Sequence, residues 1–176
     1  MAANPQQSSL SGLARALVQA GRIKEAEAEA LLTLAAETKT SFIEQLVGTK
    51  KASAPDVARF AADTFGYPLL DLNAFDDAHI QRTAIDRKLI AAHRVVPLHK
   101  RGNRLSIAIA DPTNLRALDE IRFQTGMAVD PVIVDESQLA PLVAKLSESV
   151  EDTLKSLTNE EINLEFTDDD STDKID

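Results

Sequence analysis

Residues 95–134 read VVPLHKRGNRLSIAIADPTNLRALDEIRFQTGMAVDPVIV, and most of the evidence for the fold class lies in them. Two runs rich in β-branched and other apolar residues, at 95–98 and 105–110, enclose a polar segment that contains Gly102 and Asn103. A Gly-Asn pair between such runs is typical of a tight β-turn, because glycine tolerates the left-handed backbone that the turn requires. The pattern therefore predicts an antiparallel β-hairpin.

A helix and another strand follow this hairpin. The helix is predicted to open at Asp111-Pro112 and to end at Gly126, since proline suits a first turn and glycine a helix C-terminus. Its predicted apolar face consists of Leu115, Leu118 and Ile121. Residues 129–134 then form a strand. Because strand–helix–strand crossovers are right-handed, this strand should run parallel to 105–110.

The residues on either side complete the C-terminal half. We predict a short strand at 69–72, a short helix at 86–93 and an amphipathic helix at 138–154. Residues 67–155 should therefore form an α+β subdomain, in which helices pack on one face of a small mixed sheet of three or four strands.

Residues 10–66 show helical periodicity instead. Four short helices are predicted, the last of which begins after Ser53 and ends at Gly66. A shift of 29 residues places Leu17 on Leu46 and superimposes the first two helices on the second two. These residues are therefore predicted to form an all-helical subdomain of two helix-pair repeats. Sequence identity between the copies is low, so chance similarity of amphipathic helices is the alternative.

The charge is distributed unevenly along the chain. The 176 residues carry 28 acidic and 19 basic side chains, a net charge of −9. Residues 80–126 have nine basic and four acidic side chains, a net +5, whereas residues 160–176 have one and eight, a net −7. We expect residues 1–9 to be a disordered lead-in and residues 156–176 to be an acidic flexible linker, because neither has enough apolar side chains to bury.

Composition and spacing exclude several classes of function. The absence of cysteine rules out disulfides and thiolate chemistry. An aromatic content of 4% and a net charge of −2 over residues 1–159 disfavour a nucleic-acid surface. The spacing of His79, His93 and His99 does not suit a metal site, and no G-x-x-x-x-G-K-[ST] loop occurs. We therefore predict no catalytic residue, no metal site and no cofactor in this chain.

The sequence also bears on cellular location. No basic segment followed by an apolar one marks a secretory signal, and no apolar run approaches the roughly 20 residues of a membrane span. The expectation is a soluble, cytoplasmic protein without direct membrane insertion.

The order of several short motifs is more specific than any one of them. The segments are 67–72 (YPLLDL), 87–98 (RKLIAAHRVVPL), 105–114 (LSIAIADPTN), 118–121 (LDEI), 125–126 (TG) and 129–132 (VDPV). In this order they resemble the N-terminal domain of type II secretion and type IV pilus assembly ATPases. The resemblance covers roughly residues 10–155. It implies a regulatory part of a hexameric motor at the cytoplasmic face of the inner membrane. ATP and magnesium would belong to a motor region with a Walker A loop, which this chain lacks, so no enzymatic activity is expected here.

Within this family the helix-pair repeat resembles the MshE-type N-terminal module, which binds cyclic di-GMP in some members. Each repeat of the module has Arg-Leu-Gly at its start, a glycine before the second helix and a glutamine near the end. The corresponding positions here are Gly12, Ala14, Gly21 and Ala35 in the first repeat and Ser41, Ile43, Lys50 and Thr64 in the second. Both arginines, which would stack on guanine and pair with phosphate, are missing. The resemblance therefore predicts a degenerate site that does not bind cyclic di-GMP.

Protein recognition is the function that remains. The resemblance implies that the motor is controlled through small adaptors, including PilZ-type proteins. We expect this chain to bind such an adaptor or another pilus machine component. The candidate interface residues are Leu13, Leu17, Phe42, Leu46, Val47 and Phe60. Their helical periodicity also suits the plainer alternative, that they only pack the four helices together. Three other functions stay open: a direct cyclic di-GMP receptor, an independent small enzyme and a purely structural spacer.

Overall fold

The computed structural model describes residue 10 and residues 12–148 of the chain. The helices are α1 (Gly12–Gln19), α2 (Glu25–Thr38), α3 (Phe42–Gly48), α4 (Ala54–Phe65), α5 (Arg87–His93), α6 (Leu115–Thr125) and α7 (Glu136–Ser147). The strands are β1 (Val96–Arg101), β2 (Arg104–Ile109) and β3 (Ala128–Ile133). Two short 3-10 turns, Leu72–Ala74 and Asp77–His79, lie between α4 and α5. The predicted α+β class is confirmed, with four helices over residues 12–65 and a mixed sheet after α5.

The turns between paired helices show that the helical half is a structural repeat. After α1, Gly21 has a φ of +68° and its N–H donates to the carbonyl of Val18 (3.0 Å). After α3, the equivalent Lys50 has a φ of +58° and donates to the carbonyl of Val47 (3.0 Å). The same left-handed turn therefore occurs 29 residues apart, which confirms the two helix-pair repeats.

The start and end of α4 follow from its own sequence. The Ser53 hydroxyl accepts a hydrogen bond from the Asp56 N–H (3.3 Å), and proline occupies the first turn. At the other end Gly66 adopts a φ of +74°, a left-handed conformation that glycine reaches without steric cost. Both predicted boundaries are confirmed.

The sheet has the strand order β1-β2-β3. The hairpin pairs β1 and β2 antiparallel, and α6 crosses over so that β3 runs parallel to β2, as predicted. The predicted strand at 69–72 is wrong: it is reduced to one parallel bridge between Leu69 and Ile133. The chain turns away because the Asp71 carboxylate accepts a hydrogen bond from the Asn73 N–H (2.9 Å), which starts a 3-10 turn.

Three details of the predicted helices differ from the structure. The helix predicted to open at Asp111-Pro112 begins at Leu115. Leu115, assigned to the apolar face of α6, is 61% exposed. The Asn114 side chain caps this helix by accepting from the Ala117 N–H (3.2 Å), so that Ala117 joins Leu118 and Ile121 on the buried face. The predicted helix 138–154 begins at Glu136 and ends at Ser147, because Glu148 is extended (φ −64°, ψ 131°).

The sheet is covered on both faces, not on one as predicted. Ile107 and Ala108 are consecutive residues of β2, so their side chains point to opposite faces, and both are fully buried. Buried apolar side chains of both halves form one contiguous cluster, with Leu13 and Leu46 from the helices and Leu139 from α7 among its members. The subdomain boundary at residue 66 therefore stays a prediction, and those made for 1–9 and 156–176 lie outside the described residues.

Candidate functional site

The positions that match the cyclic di-GMP pattern do not converge on one open pocket. Ala14, Ala35 and Ile43 are buried in the core. Gly21, Lys50 and Thr64 are exposed. Ala14 and Ile43 border two different cavities, so the corresponding positions of the two repeats do not share a site.

The two positions where the pattern has arginine are used in other contacts. At Gly12 (φ +59°) a Cβ atom would lie 2.5 Å from the Thr113 Oγ1, closer than atoms tolerate. The Leu13 N–H donates to the same oxygen (3.3 Å), and Thr113 is held in turn by hydrogen bonds from its N–H and hydroxyl to Asp111 Oδ1 (2.9 and 2.5 Å). The Ser41 hydroxyl caps α3 by accepting from a backbone N–H in its first turn (3.1 Å). The start of α1 is thus packed against the loop that follows β2.

The predicted interface residues divide into two groups. Leu13, Leu17 and Leu46 are buried in the core, so their side chains are not available on the surface. The other three, Phe42, Val47 and Phe60, are half-buried and pack against the core with one side. The Arg22 guanidinium lies 5.9 Å from the centre of the Phe60 ring, a cation–π contact. An interface on the helical half therefore stays a prediction for the half-buried group.

A cleft of about 340 Å³ lies where the helical half meets the α+β half. Its walls are the start of α3, the end of α5, the loop after β2 and the start of α7. The polar side chains that line it include Lys39, Ser41, Glu44, Arg94, Asp111 and Glu136. Clefts at the carboxyl ends of parallel strands are common binding sites, and this one adjoins the end of β2.

Arg94 organises this cleft. It follows α5 in a left-handed conformation (φ +51°), which most side chains avoid. Its Nη1 lies 3.3 Å from Glu44 Oε1 of α3, and its Nη2 donates to Glu136 Oε1 of α7. The Nε atom is buried and has no hydrogen-bond partner among the described residues. A single guanidinium thus joins the helical half to the α+β half.

The ion pair with Glu136 is largely shielded from water. The side chain of Glu136 is only 7% exposed and that of Arg94 is 27% exposed. Burial raises the pKa of Glu136 above its ordinary value, although the attraction of Arg94 opposes this rise. Removal of either partner would leave the other charge poorly hydrated, so the pair resists separation.

A second polar cluster lies next to Arg94 in sequence. His93 Nε2 lies 2.5 Å from Glu120 Oε2, and the other oxygen of that carboxylate accepts from Arg116 (3.2 Å). The pKa of Glu120 lies below its ordinary value. The hydrogen bond with His93 is the largest cause, and the hydrogen bond with Arg116 is the next. Over the described residues, no three histidine or carboxylate side chains gather as a metal site would require. The contact between His93 and Glu120 joins the end of α5 to α6.

Sequence reasoning missed Arg94, Glu44 and Glu136 as a group. Arg94 stood out only as one of nine basic residues between 80 and 126 and as a member of the motif at 87–98. The sequence around Glu44 and around Glu136 does not differ in composition or spacing from that around an exposed helical glutamate. The burial that distinguishes Glu136 depends on packing, for which the local sequence contains no signal.

No helix within the described part of the chain is both long and apolar enough to cross a bilayer. The chain is 38% identical over 165 residues to the type IV pilus assembly ATPase PilB of Pseudomonas aeruginosa, an alignment that covers 94% of this chain and 29% of PilB. It therefore spans less than a third of that relative's length.

Two solved structures share the fold. The N-terminal domain of XpsE superimposes with a TM-score of 0.58 at 23% identity. The superposition covers 80% of this chain and 97% of the XpsE chain. The structure of MshE with cdg superimposes with a TM-score of 0.54 at 24% identity, over 78% of this chain and 99% of that one. At these identities the likeness concerns the fold alone.

The MshEN domain family matches residues 65–153, half of the chain. The match starts at the last residue of α4 and contains the α+β half. It does not include the helix-pair repeats, to which the motif pattern had assigned the MshE-type module. Since this match covers half of the chain, the chain belongs to the MshEN domain family.

Proposed function

We propose that this chain is the non-catalytic regulatory domain of a type IV pilus extension motor. In this proposal it binds a PilZ-type adaptor, or a component of the pilus machine at the cytoplasmic face of the inner membrane, and couples it to a hexameric motor. The similarity to PilB supports this assignment. The 176 residues lack a phosphate-binding Walker A loop, so ATP and magnesium are assigned to a motor region outside this sequence.

The observation that carries the proposal is the bridge made by Arg94. A domain that transmits a binding event needs a contact that depends on the relative position of its parts. The guanidinium of Arg94 contacts Glu44 in the helical half and Glu136 in the α+β half. A partner that shifts the helices would therefore stretch or break a buried ion pair. The loss of this ion pair is a discrete change that the rest of a motor could sense.

A direct cyclic di-GMP receptor is the second candidate. It is favoured by the cleft of about 340 Å³ that contains Arg94 and Lys39, and by the fold shared with the structure of MshE with cdg. Against it, the space beside Gly12 is filled by Thr113, and Ala14 is buried where the pattern has glycine. These contacts support the proposal that the helical half no longer binds the nucleotide. A purely structural spacer is the third candidate.

Isothermal titration calorimetry separates the three candidates. The 176-residue chain is titrated with cyclic di-GMP and, separately, with a PilZ-type adaptor from the same organism. We expect saturable binding of the adaptor and no heat from the dinucleotide. Micromolar or tighter binding of the dinucleotide would establish the receptor instead, and the absence of both would leave the spacer.

A matched pair of substitutions locates the interface. Phe60→Ala removes a half-buried ring from α4, whereas Phe123→Ala removes a ring that is 94% exposed on α6 in the other half. The adaptor should bind Phe60→Ala more weakly and Phe123→Ala as well as it binds the unmodified chain. Circular dichroism checks that Phe60→Ala stays folded. Equal affinities in all three chains would contradict an interface on the helical half.

A further inference from the structure

A groove of about 710 Å³ is bordered by Glu148, the last described residue of the chain. The segment before α5 forms one wall and the end of α7 forms the other. The side chains that line the groove include Arg82, Ile85, Arg87, Lys145 and Leu146. The carbonyl oxygen of Glu148 accepts a hydrogen bond from Arg87 Nη1 (3.4 Å), which holds the backbone of Glu148 at the cationic side of the groove.

The groove combines an apolar floor with a cationic rim. Ile85 and Leu146 are buried beneath it, whereas Arg82, Arg87 and Lys145 are exposed around it. Lys145 is already 3.5 Å from a carboxylate oxygen of Asp77. Neither Arg82 nor Arg87 forms a salt bridge with any carboxylate of the described part of the chain.

Two acidic side chains also line the groove, and one of them is engaged elsewhere. The Asp86 carboxylate caps α5 by accepting from the Lys88 N–H (2.8 Å). The second is Glu148, whose carboxylate forms no salt bridge with Arg82 or Arg87; only its backbone carbonyl contacts Arg87. The guanidinium groups of Arg82 and Arg87 can therefore bind an acidic, partly apolar occupant.

We propose that this occupant is the next segment of the same chain, residues 149–154, which read SVEDTL. Val150 would supply the apolar side chain for the floor. Glu151 and Asp152 would supply the two carboxylates for Arg82 and Arg87. The segment is joined directly to Glu148, which lines the groove, so its effective concentration there is on the order of millimolar, an advantage that no separate molecule shares.

Docking of this segment would tie the exit of the chain to α5. Arg87 is the first residue of α5, and Arg94 follows its last residue. The same seven-residue helix therefore connects the groove to the Arg94 bridge at the cleft. The direction in which the chain leaves the domain would be set by the α+β half, whatever partner the helical half binds. This inference stands independently of the proposed function.

Hydrogen exchange followed by mass spectrometry tests the docking on the 176-residue chain. The amides of residues 149–154 should exchange more slowly than expected for an unstructured peptide of that sequence. The double variant R82E/R87E should lose most of this protection, because two exposed ion pairs shift such an equilibrium by up to about tenfold. The matched control is K100E/R101E, which makes the same charge change at the exposed hairpin, outside the groove.

Charge exchange then identifies the contacts. Combining R82E/R87E with E151R/D152R should restore protection, since the two ion pairs are rebuilt with opposite polarity. Protection that rises with protein concentration would assign the groove to a second copy and overturn the proposal. It would also be overturned by peptide-like exchange in the unmodified chain, by equal loss in K100E/R101E, or by a charge exchange that restores nothing.

Discussion

The Arg94 bridge leads to a quantitative prediction for Arg94→Met. Methionine keeps most of the aliphatic length of the side chain but removes both contacts, to Glu44 and to Glu136. Breaking a buried ion pair costs about 3–5 kcal/mol, because the remaining charge stays buried without a partner. Arg94 is 27% exposed, and Glu136, with its raised pKa, takes up a proton more readily. We therefore expect a lower free energy of unfolding, by about 2–3 kcal/mol.

Urea or thermal unfolding followed by far-ultraviolet circular dichroism measures this loss, since the chain has no tryptophan and one tyrosine. For a chain of this size, 2–3 kcal/mol corresponds to a fall in Tm of about 5–10 °C. The matched control is Arg104→Met. Arg104 forms two hydrogen bonds to Asp130 (2.9 and 2.6 Å), but its side chain is 66% exposed. Its loss should therefore cost less than about 1 kcal/mol.

The double variant Arg94→Met/Glu136→Gln completes the argument. If the cost arises from an unpaired buried carboxylate, removal of that charge should recover at least half of the stability lost in Arg94→Met. If Arg94→Met costs no more than Arg104→Met, the Arg94 ion pairs do not stabilise the fold. If the double variant loses the sum of the two single effects, Arg94 and Glu136 are independent and the predicted coupling is wrong.

Three further predictions concern single residues and are read from the same unfolding measurements. Leu46 is fully buried, so Leu46→Ala should cost about 2–5 kcal/mol, whereas Leu115→Ala at an exposed site should stay within about 0.5 kcal/mol; similar losses would contradict the described core. Lys50 has a φ of +58°, so Lys50→Gly should stabilise the chain by up to about 1 kcal/mol, and a clear loss would argue against the left-handed turn. Because burial raises the pKa of Glu136, the folded state holds this proton more tightly than the unfolded chain, so the contribution of Glu136 to stability falls as the pH rises from 4.5 towards the raised pKa. Glu136→Gln should flatten that fall in a series of Tm values against pH, and an unchanged slope would contradict the assigned shift.

The two ends of α4 and the hairpin were predictable because their signals are local. The hydroxyl of Ser53 reaches an amide three residues away, and Gly66 supplies the left-handed backbone that ends α4. The repeat was predictable because it depends on a turn geometry that recurs within each copy. The prediction at 69–72 failed because the same short sequence can form either a strand or a turn. The apolar run at 69–72 could pair as a strand, but the Asp71 cap turned the chain after one bridge.

The candidate site shows the opposite case. Arg94 and Glu136 are 42 residues apart, and Leu13 and Thr113 are 100 residues apart. Neither pair has a pattern in the sequence that connects its members. The motif pattern predicted that the dinucleotide site is degenerate, but it could not show that Thr113 occupies the space beside Gly12.

By itself, the amino-acid sequence determined the fold class, the helix-pair repeat and the family resemblance, since capping, periodicity and turn chemistry act over a few neighbouring residues. The burial of Glu136, the bridge through Arg94 and the groove beside Arg87 emerged only from the packed molecule. The physical reason is that the environment of a charge depends on which distant elements exclude water from it, and identical glutamates differ only in what packs around them.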